Sequence, residues 1–186
     1  MGIKRLLTIL AIFVAVAPDI YAEKLKIGQV LPEVILHGRA GELEFDGKEI
    51  SYRRWSSRNL VGKVHTVYHL AARRGIDKIN KRYIEMIEAE QIPLDKYKTV
   101  SILNIDDVFT GGKGFARRKY EERRKKLNNS EFVLDDSSKV RESWGLGKKG
   151  SAVILVGKDG KVLAYKDGPL KNDEIQAFIE LIKMNI

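Results

Sequence analysis

The strand that decides the fold is residues 64–71, VHTVYHLA, which is followed directly by ARRG at 72–75. β-branched and aromatic residues fill this run, and it is too apolar to have one wet face, so it predicts a strand buried on both sides. From Ile76 the apolar residues recur every three or four positions, which predicts a helix that ends before Pro93. A buried strand that leads into a helix is typical of an α/β fold.

The same two patterns continue along the chain. Strands are predicted at 100–105, 132–134, 152–156 and 162–165, helices at 115–127, 137–144 and from Asn172 as N-cap, and a hairpin at Asp46-Gly47. The first two central strands, separated by a helix, need a right-handed crossover and are therefore parallel, whereas the tight turn at 158–160 makes the last two strands antiparallel. The sequence therefore predicts an α/β fold with a mixed sheet flanked by helices and an N-terminal β-hairpin extension.

The first 22 residues have the pattern of a secretory signal peptide. Lys4 and Arg5 precede the apolar run 6–17, which is shorter than the roughly 20 residues needed to span a bilayer, and Ala22 is a small residue at the expected cleavage position. An uncleaved N-terminal anchor is the alternative, because Ile20 is larger than usual for its position. We predict a signal peptide at 1–22 and a single periplasmic domain at 23–186, with no transmembrane segment in the mature chain.

The composition excludes a large class of chemistry. The 186 residues include no cysteine, so the chain can form no disulfide, hold no thiolate-ligated metal and use no cysteine nucleophile. Lys and Arg number 34 against 25 Asp and Glu, a formal net charge of +9. Because an exported protein meets little nucleic acid, this charge favours an anionic envelope component or an envelope protein as partner. We expect no nucleic-acid partner, no cofactor and a monomeric chain.

The order of these features resembles the thioredoxin fold as found in peroxiredoxins and thiol-disulfide oxidoreductases. The matching segments are the first segment at 28–32 (GQVLP), the hairpin, and residues 60–63 (LVGK) before the strand that ends at Ala71. More narrowly, the mature chain is similar to the YtfJ-like family of exported bacterial proteins. The resemblance depends on the order of Tyr52 with Trp55, residues 60–64, Asn104 with Asp106-Asp107, residues 151–153, and the two Lys-Asp-Gly triplets at 158–160 and 166–168. It implies a thioredoxin-like fold and an exported protein rather than a reaction.

The resemblance also implies where redox chemistry would occur. A thioredoxin-like active site needs a thiolate at the start of the helix after Ala71, where the helix dipole lowers its pKa. Arg73 and Arg74 stand there instead, and Gly150-Ser151-Ala152 replaces the proline that such folds place before the third central strand. The scaffold therefore has no thiol activity. Ligands of open α/β sheets bind near the strand ends, so the candidate binding residues are His69, Arg73, Arg74, Asp106, Asp107 and Ser151.

Two pairs in this region have alternative roles. Asp106 and Asp107 follow the second buried strand, where they could hold a hard cation or cap the following turn. His65 and His69 lie four residues apart on one face of a strand, but no third ligand accompanies them, so we predict no metal site.

A basic segment follows the glycine-rich loop 111–114, which lacks the ending of a P-loop. Its candidate anion-binding residues are Arg117, Arg118, Lys119, Arg123, Arg124, Lys125 and Lys126. In a helix, Glu121 and Glu122 precede Lys125 and Lys126 by four residues, the favourable order for ion pairs. The alternatives are a solvated face and a surface that binds an anionic partner.

These observations favour an exported binding or accessory protein of the cell envelope without thiol redox activity. The rival hypothesis is an enzyme that uses no thiol, with a cation held by Asp106 and Asp107. A DNA-binding regulator, suggested by the basic helix, conflicts with export.

Overall fold

A computed structural model describes residues 25–127 and 129–186. The predicted signal peptide at 1–22 lies outside the described residues. The strands are β1 (Ile35–Leu36), β2 (Gly41–Phe45), β3 (Ile50–Arg53), β4 (Trp55–Ser56), β5 (Val64–Ala71), β6 (Tyr97–Asn104), β7 (Ser130–Asp135), β8 (Ser151–Val156) and β9 (Val162–Asp167). The helices are α1 (Lys81–Ala89), α2 (Lys113–Lys126), α3 (Lys139–Trp144) and α4 (Asn172–Asn185), with short 3₁₀ turns at Ser57–Asn59 and Ile76–Lys78.

Seven strands form one mixed sheet in the order β3-β2-β7-β6-β5-β8-β9, and β1 pairs with β4 in a separate two-stranded sheet. Strands β5, β6 and β7 are parallel, and the pairs β5–β8, β8–β9, β2–β3 and β2–β7 are antiparallel. The predicted parallel pair β5–β6 and antiparallel pair β8–β9 are therefore confirmed. The hairpin β2–β3 extends this sheet beside β7.

Both faces of the central strands are covered. On one face, Val67 packs with Val100 and Ile154 beneath Trp55 and Trp144, and each tryptophan is only 1% exposed. On the other face, strand residues pack against α1 and α4, where the rings of Tyr83 and Phe178 meet edge to face at 5.9 Å. All eight residues of β5 are buried, which explains why most of them are apolar and why neither face of the strand carries a charged side chain at neutral pH.

The helix predicted from Ile76 begins later than expected. Residues 76–78 form only a 3₁₀ turn, and α1 begins at Lys81. The interruption falls at Asn80, whose buried side chain donates to the Gly168 carbonyl at 3.1 Å and accepts the Leu170 N–H at 2.9 Å. These bonds hold Asn80 against the connection between β9 and α4, and its backbone, with φ −113° and ψ 24°, is not helical, so α1 begins only after it.

The other three helix starts also differ from the prediction, and α3 begins at Lys139 rather than at Ser137. Helix α2 begins at Lys113, two residues early, and the N-cap of α4 is Lys171 rather than Asn172. At that cap the Glu174 carboxylate accepts the Lys171 N–H at 2.7 Å, so the acidic residue of the first turn satisfies a backbone donor. Among the helices of residues 25–127 and 129–186, none has the length and apolar character to cross a membrane.

Candidate functional site

The parallel strands β5, β6 and β7 bring polar residues to one edge of the sheet. Their carboxyl ends are in register, so Ala71 lies beside Asn104, and Asn104 beside Asp135. His69, two residues before the end of β5, points to the same face as Asn104. The sequence-predicted residues Asp106 and Asp107 follow directly, on the loop after β6.

A buried asparagine organises this edge. Asn104 is fully buried, and its amide donates to Asp107 Oδ2 at 3.2 Å and to Ser138 Oγ at 3.1 Å. Its amide oxygen accepts the Asp106 N–H at 2.9 Å. We call the connected group Asn104, Asp106, Asp107, Ser138 and Arg141 the strand-end network. Sequence analysis named only its two aspartates as candidates.

Both carboxylates of the strand-end network have cationic partners within the protein. Asp106 accepts from Lys113 Nζ at 2.5 Å and from the Ser138 hydroxyl at 3.1 Å, and the Lys113 bond is the main cause that lowers the Asp106 pKa. Asp107 accepts the Lys149 N–H at 3.3 Å and lies 3.8 Å from Arg141 Nε. A cation would have to compete with these partners, so the geometry favours the turn-stabilising role over the cation-binding one.

Two residues of this region hold the start of α3. The Ser138 backbone has a φ of 58°, a left-handed conformation that costs energy in a residue with a side chain, and the bonds of its hydroxyl help to hold it. The buried Asp135 carboxylate accepts the N–H groups of Lys139 at 3.2 Å and Val140 at 2.8 Å. Burial raises the Asp135 pKa, although the N–H bonds act in the opposite direction. Sequence analysis did not name Asp135 as a candidate, although its position at the end of a buried strand could have identified it.

The two buried histidines are neutral core residues. Burial lowers the His69 pKa to about 4, and the nearby positive charge of Arg141 acts in the same direction. Burial also lowers the His65 pKa to about 4. Within the described ranges 25–127 and 129–186, no group of three or more His, Asp or Glu side chains is arranged to hold a metal ion.

Arg73 and Arg74 lie on the exposed loop after β5. Backbone bonds anchor the start of this loop: the Ala71 N–H donates to the Gly150 carbonyl and the Ala72 N–H to the Asn104 carbonyl, each at 2.9 Å. Neither guanidinium forms an ion pair with another described residue. Two cationic groups without an ion-pair partner among the described residues therefore follow directly after the anchored start of this loop.

The loop before β8 reaches the same edge and adds two more exposed basic residues, Lys148 and Lys149. Ser151, in contrast, lies on the opposite face from His69, because it pairs with Leu70 in the β5–β8 register. There its buried hydroxyl accepts from the Asn80 amide at 3.2 Å. The structure thus gathers the arginines and the acidic pair at one edge and separates Ser151 from His69.

The predicted anion-binding residues of α2 divide into two partly buried arginines, which contact the rest of the protein, and five exposed residues. Arg117 donates to the Arg39 carbonyl, pairs with Asp136 at 3.4 Å and lies 5.5 Å from the centre of the Tyr52 ring. Arg124 Nε donates to the Leu43 carbonyl at 3.0 Å. Arg124 and the ring contact of Arg117 therefore attach α2 to the hairpin, and the polar bonds of Arg117 attach it to the segments before β2 and after β7.

The acidic residues of α2 pair differently from the expected spacing. Glu122 pairs with Lys125 at i,i+3 and 2.7 Å, whereas Glu121 accepts the Tyr52 hydroxyl at 2.6 Å. This bond and burial raise the Tyr52 pKa to about 12. The predicted i,i+4 pairs do not form, because Glu121 is bonded to Tyr52 rather than to Lys125, and Glu122 is paired with Lys125 rather than with Lys126.

Comparison with known proteins gives the family. Residues 25–185 match the family described as bacterial protein of unknown function, YtfJ_HI0045. The chain belongs to the YtfJ_HI0045 family. An uncharacterized protein of Haemophilus influenzae is 36% identical over 162 residues, covering 87% of this chain and 88% of that protein. The uncharacterized protein YtfJ of Escherichia coli is 35% identical over 162 residues, with the same coverage of each chain.

Solved structures show the fold of this YtfJ_HI0045 member. The thioredoxin domain of a thiol-disulfide oxidoreductase from Bacteroides vulgatus superposes with a TM-score of 0.56 at 16% identity, covering 88% of this chain and 100% of that domain. At this identity the likeness concerns the fold alone. The predicted thioredoxin-like fold and the predicted family are both confirmed, and the fold is here combined with a sequence that has no cysteine.

Proposed function

We propose that this chain is an exported, periplasmic protein that uses a thioredoxin-like fold to bind a partner of the cell envelope, without thiol redox activity. Export is supported by the basic start, the apolar run 6–17 and the small residue Ala22. The loss of thiol chemistry follows from the absence of cysteine from all 186 residues.

The observation that carries the proposal is the exposed pair Arg73 and Arg74 at the redox position of the fold. Guanidinium groups bind carboxylates and phosphates through paired hydrogen bonds, and an anchored loop limits the entropy lost on binding. Lys148 and Lys149 extend the positive charge of this edge. The edge therefore fits an anionic group of an envelope partner.

The strand-end network stabilises the loops at this edge through internal hydrogen bonds and ion pairs. Its carboxylates are paired with Lys113 and Arg141, and the adjacent His69 is buried and neutral. A site of this kind offers no free base or nucleophile at neutral pH, because each titratable group is either paired or shielded. Binding is therefore better supported than catalysis.

Chemical cross-linking in intact cells tests the binding edge. We expect wild-type protein to give a cross-linked product that is lost when Arg73→Ser and Arg74→Ser are combined. A matched control combines Lys48→Ser and Lys158→Ser, exposed residues in turns away from this edge. Loss of the product in both variants, or in neither, contradicts the assignment of the edge.

Cell fractionation tests export separately. We expect a chain beginning at Glu23 in the periplasmic fraction, identified by mass spectrometry of its N-terminal peptide. An intact Met1 in the envelope fraction would instead support the anchored alternative.

A further inference from the structure

The side of α2 that points away from the sheet carries an unbalanced positive charge. Its exposed residues, which we call the outward face, are Phe115, Arg118, Lys119, Glu122, Arg123, Lys125 and Lys126. Glu122 is paired with Lys125 at 2.7 Å. The other four basic residues form no ion pair with any residue in 25–127 or 129–186. Four positive charges therefore remain unbalanced on 14 residues of helix.

The packing of α2 explains why these residues share one side. Tyr120 is buried against the sheet, and its hydroxyl donates to the Ser101 carbonyl at 2.6 Å. Arg117, three residues before Tyr120, donates to the Arg39 carbonyl, and Arg124, four residues after it, donates to the Leu43 carbonyl of β2. At about 100° of rotation per residue, Phe115, Arg118 and Glu122 lie on the side opposite Tyr120, with Lys119 and Lys126 next to them. The outward face thus follows from the burial of Tyr120.

Exposed aromatic side chains accompany this charge. Phe115 is 52% exposed, with Lys119 Nζ 5.0 Å from its ring centre. Phe109, on the loop before α2, is 67% exposed and lies against Gly112 at the helix start. Large apolar groups beside unpaired cations are typical of helices that lie at a membrane interface, where the rings enter the headgroup region.

We propose that the outward face of α2 docks on the phosphate-bearing surface of an anionic lipid bilayer. The four unpaired cations complement lipid phosphates, and Phe115 and Phe109 supply apolar contacts that a soluble polyanion would not use. The outward face contains neither Arg73 nor Arg74, so variants of its residues test the docking without altering the binding edge proposed above.

Vesicle flotation tests this docking with protein purified from cells that express the full chain, so that any processing of residues 1–22 has already occurred. Vesicles of equal parts phosphatidylglycerol and phosphatidylcholine are compared with pure phosphatidylcholine at low and high NaCl. The outward variant combines Arg118→Gln, Lys119→Gln, Arg123→Gln and Lys126→Gln. The control variant combines Lys48→Gln, Lys78→Gln, Arg82→Gln and Lys158→Gln, which removes the same charge from other exposed positions.

We expect wild type to bind the anionic vesicles at low salt, and the outward variant to bind them about tenfold more weakly or worse. The control variant should stay within about threefold of wild type, since its charges lie elsewhere. Phe115→Ser should weaken binding while leaving its salt dependence intact, and circular dichroism should show equal melting temperatures. Equal binding by the outward and control variants, equal binding of wild type to neutral vesicles, or capture by soluble heparin without vesicle binding would each overturn the proposal.

Discussion

The buried His69 should make the protein lose stability in mild acid. Its side chain is 2% exposed, and burial together with Arg141 lowers its pKa from about 6.5 to about 4. The unfolded chain therefore takes up a proton near pH 6.5, whereas the folded protein resists protonation until about pH 4. Stability is highest above pH 6.5 and falls as the pH drops toward 4. A shift of this size corresponds to about 3 kcal/mol of unfolding free energy.

Urea unfolding at several pH values between 7.5 and 4 measures this loss, with the fluorescence of the buried Trp55 and Trp144 as the signal. We expect wild type to lose about 3 kcal/mol more over this range than His69→Gln, which cannot be protonated there. His65 remains in both proteins, so its contribution cancels. His37→Gln, at an exposed histidine, is the control and should behave as wild type. Parallel loss of stability in wild type and His69→Gln would refute the reasoning.

Three further predictions concern chemistry, the basic helix and the hairpin. The purified protein should reduce insulin and peroxide no faster than a blank without protein, because it has no cysteine; turnover above the blank contradicts this. Combining Arg117→Gln with Arg124→Gln should lower the unfolding free energy by about 2–4 kcal/mol, because charged donors to backbone carbonyls are lost. The exposed pair Arg118→Gln and Arg123→Gln should cost less than about 1 kcal/mol, and equal costs in urea unfolding would be inconsistent with the two groups described. Gly41→Ala should cost roughly 3 kcal/mol, since its new methyl would overlap the Arg53 carbonyl oxygen at a φ of 113°. Gly38→Ala, with a positive φ but open space, should cost only about 1–2 kcal/mol, so a similar thermal shift in both would count against the clash.

The start of α1 shows a limit of local pattern. The apolar spacing from Ile76 is helical, yet the helix begins at Lys81. What prevents an earlier start is the buried Asn80 side chain, which bonds to Gly168 and Leu170, about 90 residues further along the chain. Such contacts leave no trace in the spacing of neighbouring residues.

In the candidate site, too, some residues could be predicted from local sequence and others only from packing. Asp106 and Asp107 could be predicted because polar residues directly after a buried parallel strand reach the edge where neighbouring strands also end. Ser138 could not be predicted as part of the site. It lies 34 residues after Asn104 in sequence, and the two residues come into contact only because β7 and α3 pack beside β6. The partners of the two aspartates, and hence their role, depend on that packing.

The sequence by itself determined that the protein has no thiol chemistry, since that needs cysteine, and that β5 and β8 are buried, since segments composed mostly of apolar residues leave water. Tertiary structure alone decided which basic residues of α2 are available to a partner. The seven lie all around the helix, and only the burial of Tyr120 against β6 and β7 turns Arg117 and Arg124 inward and leaves Arg118, Lys119, Arg123 and Lys126 in solvent. The physical reason is that burying one aromatic ring sets the rotation of the whole helix, whereas no individual surface charge contributes enough free energy to do so.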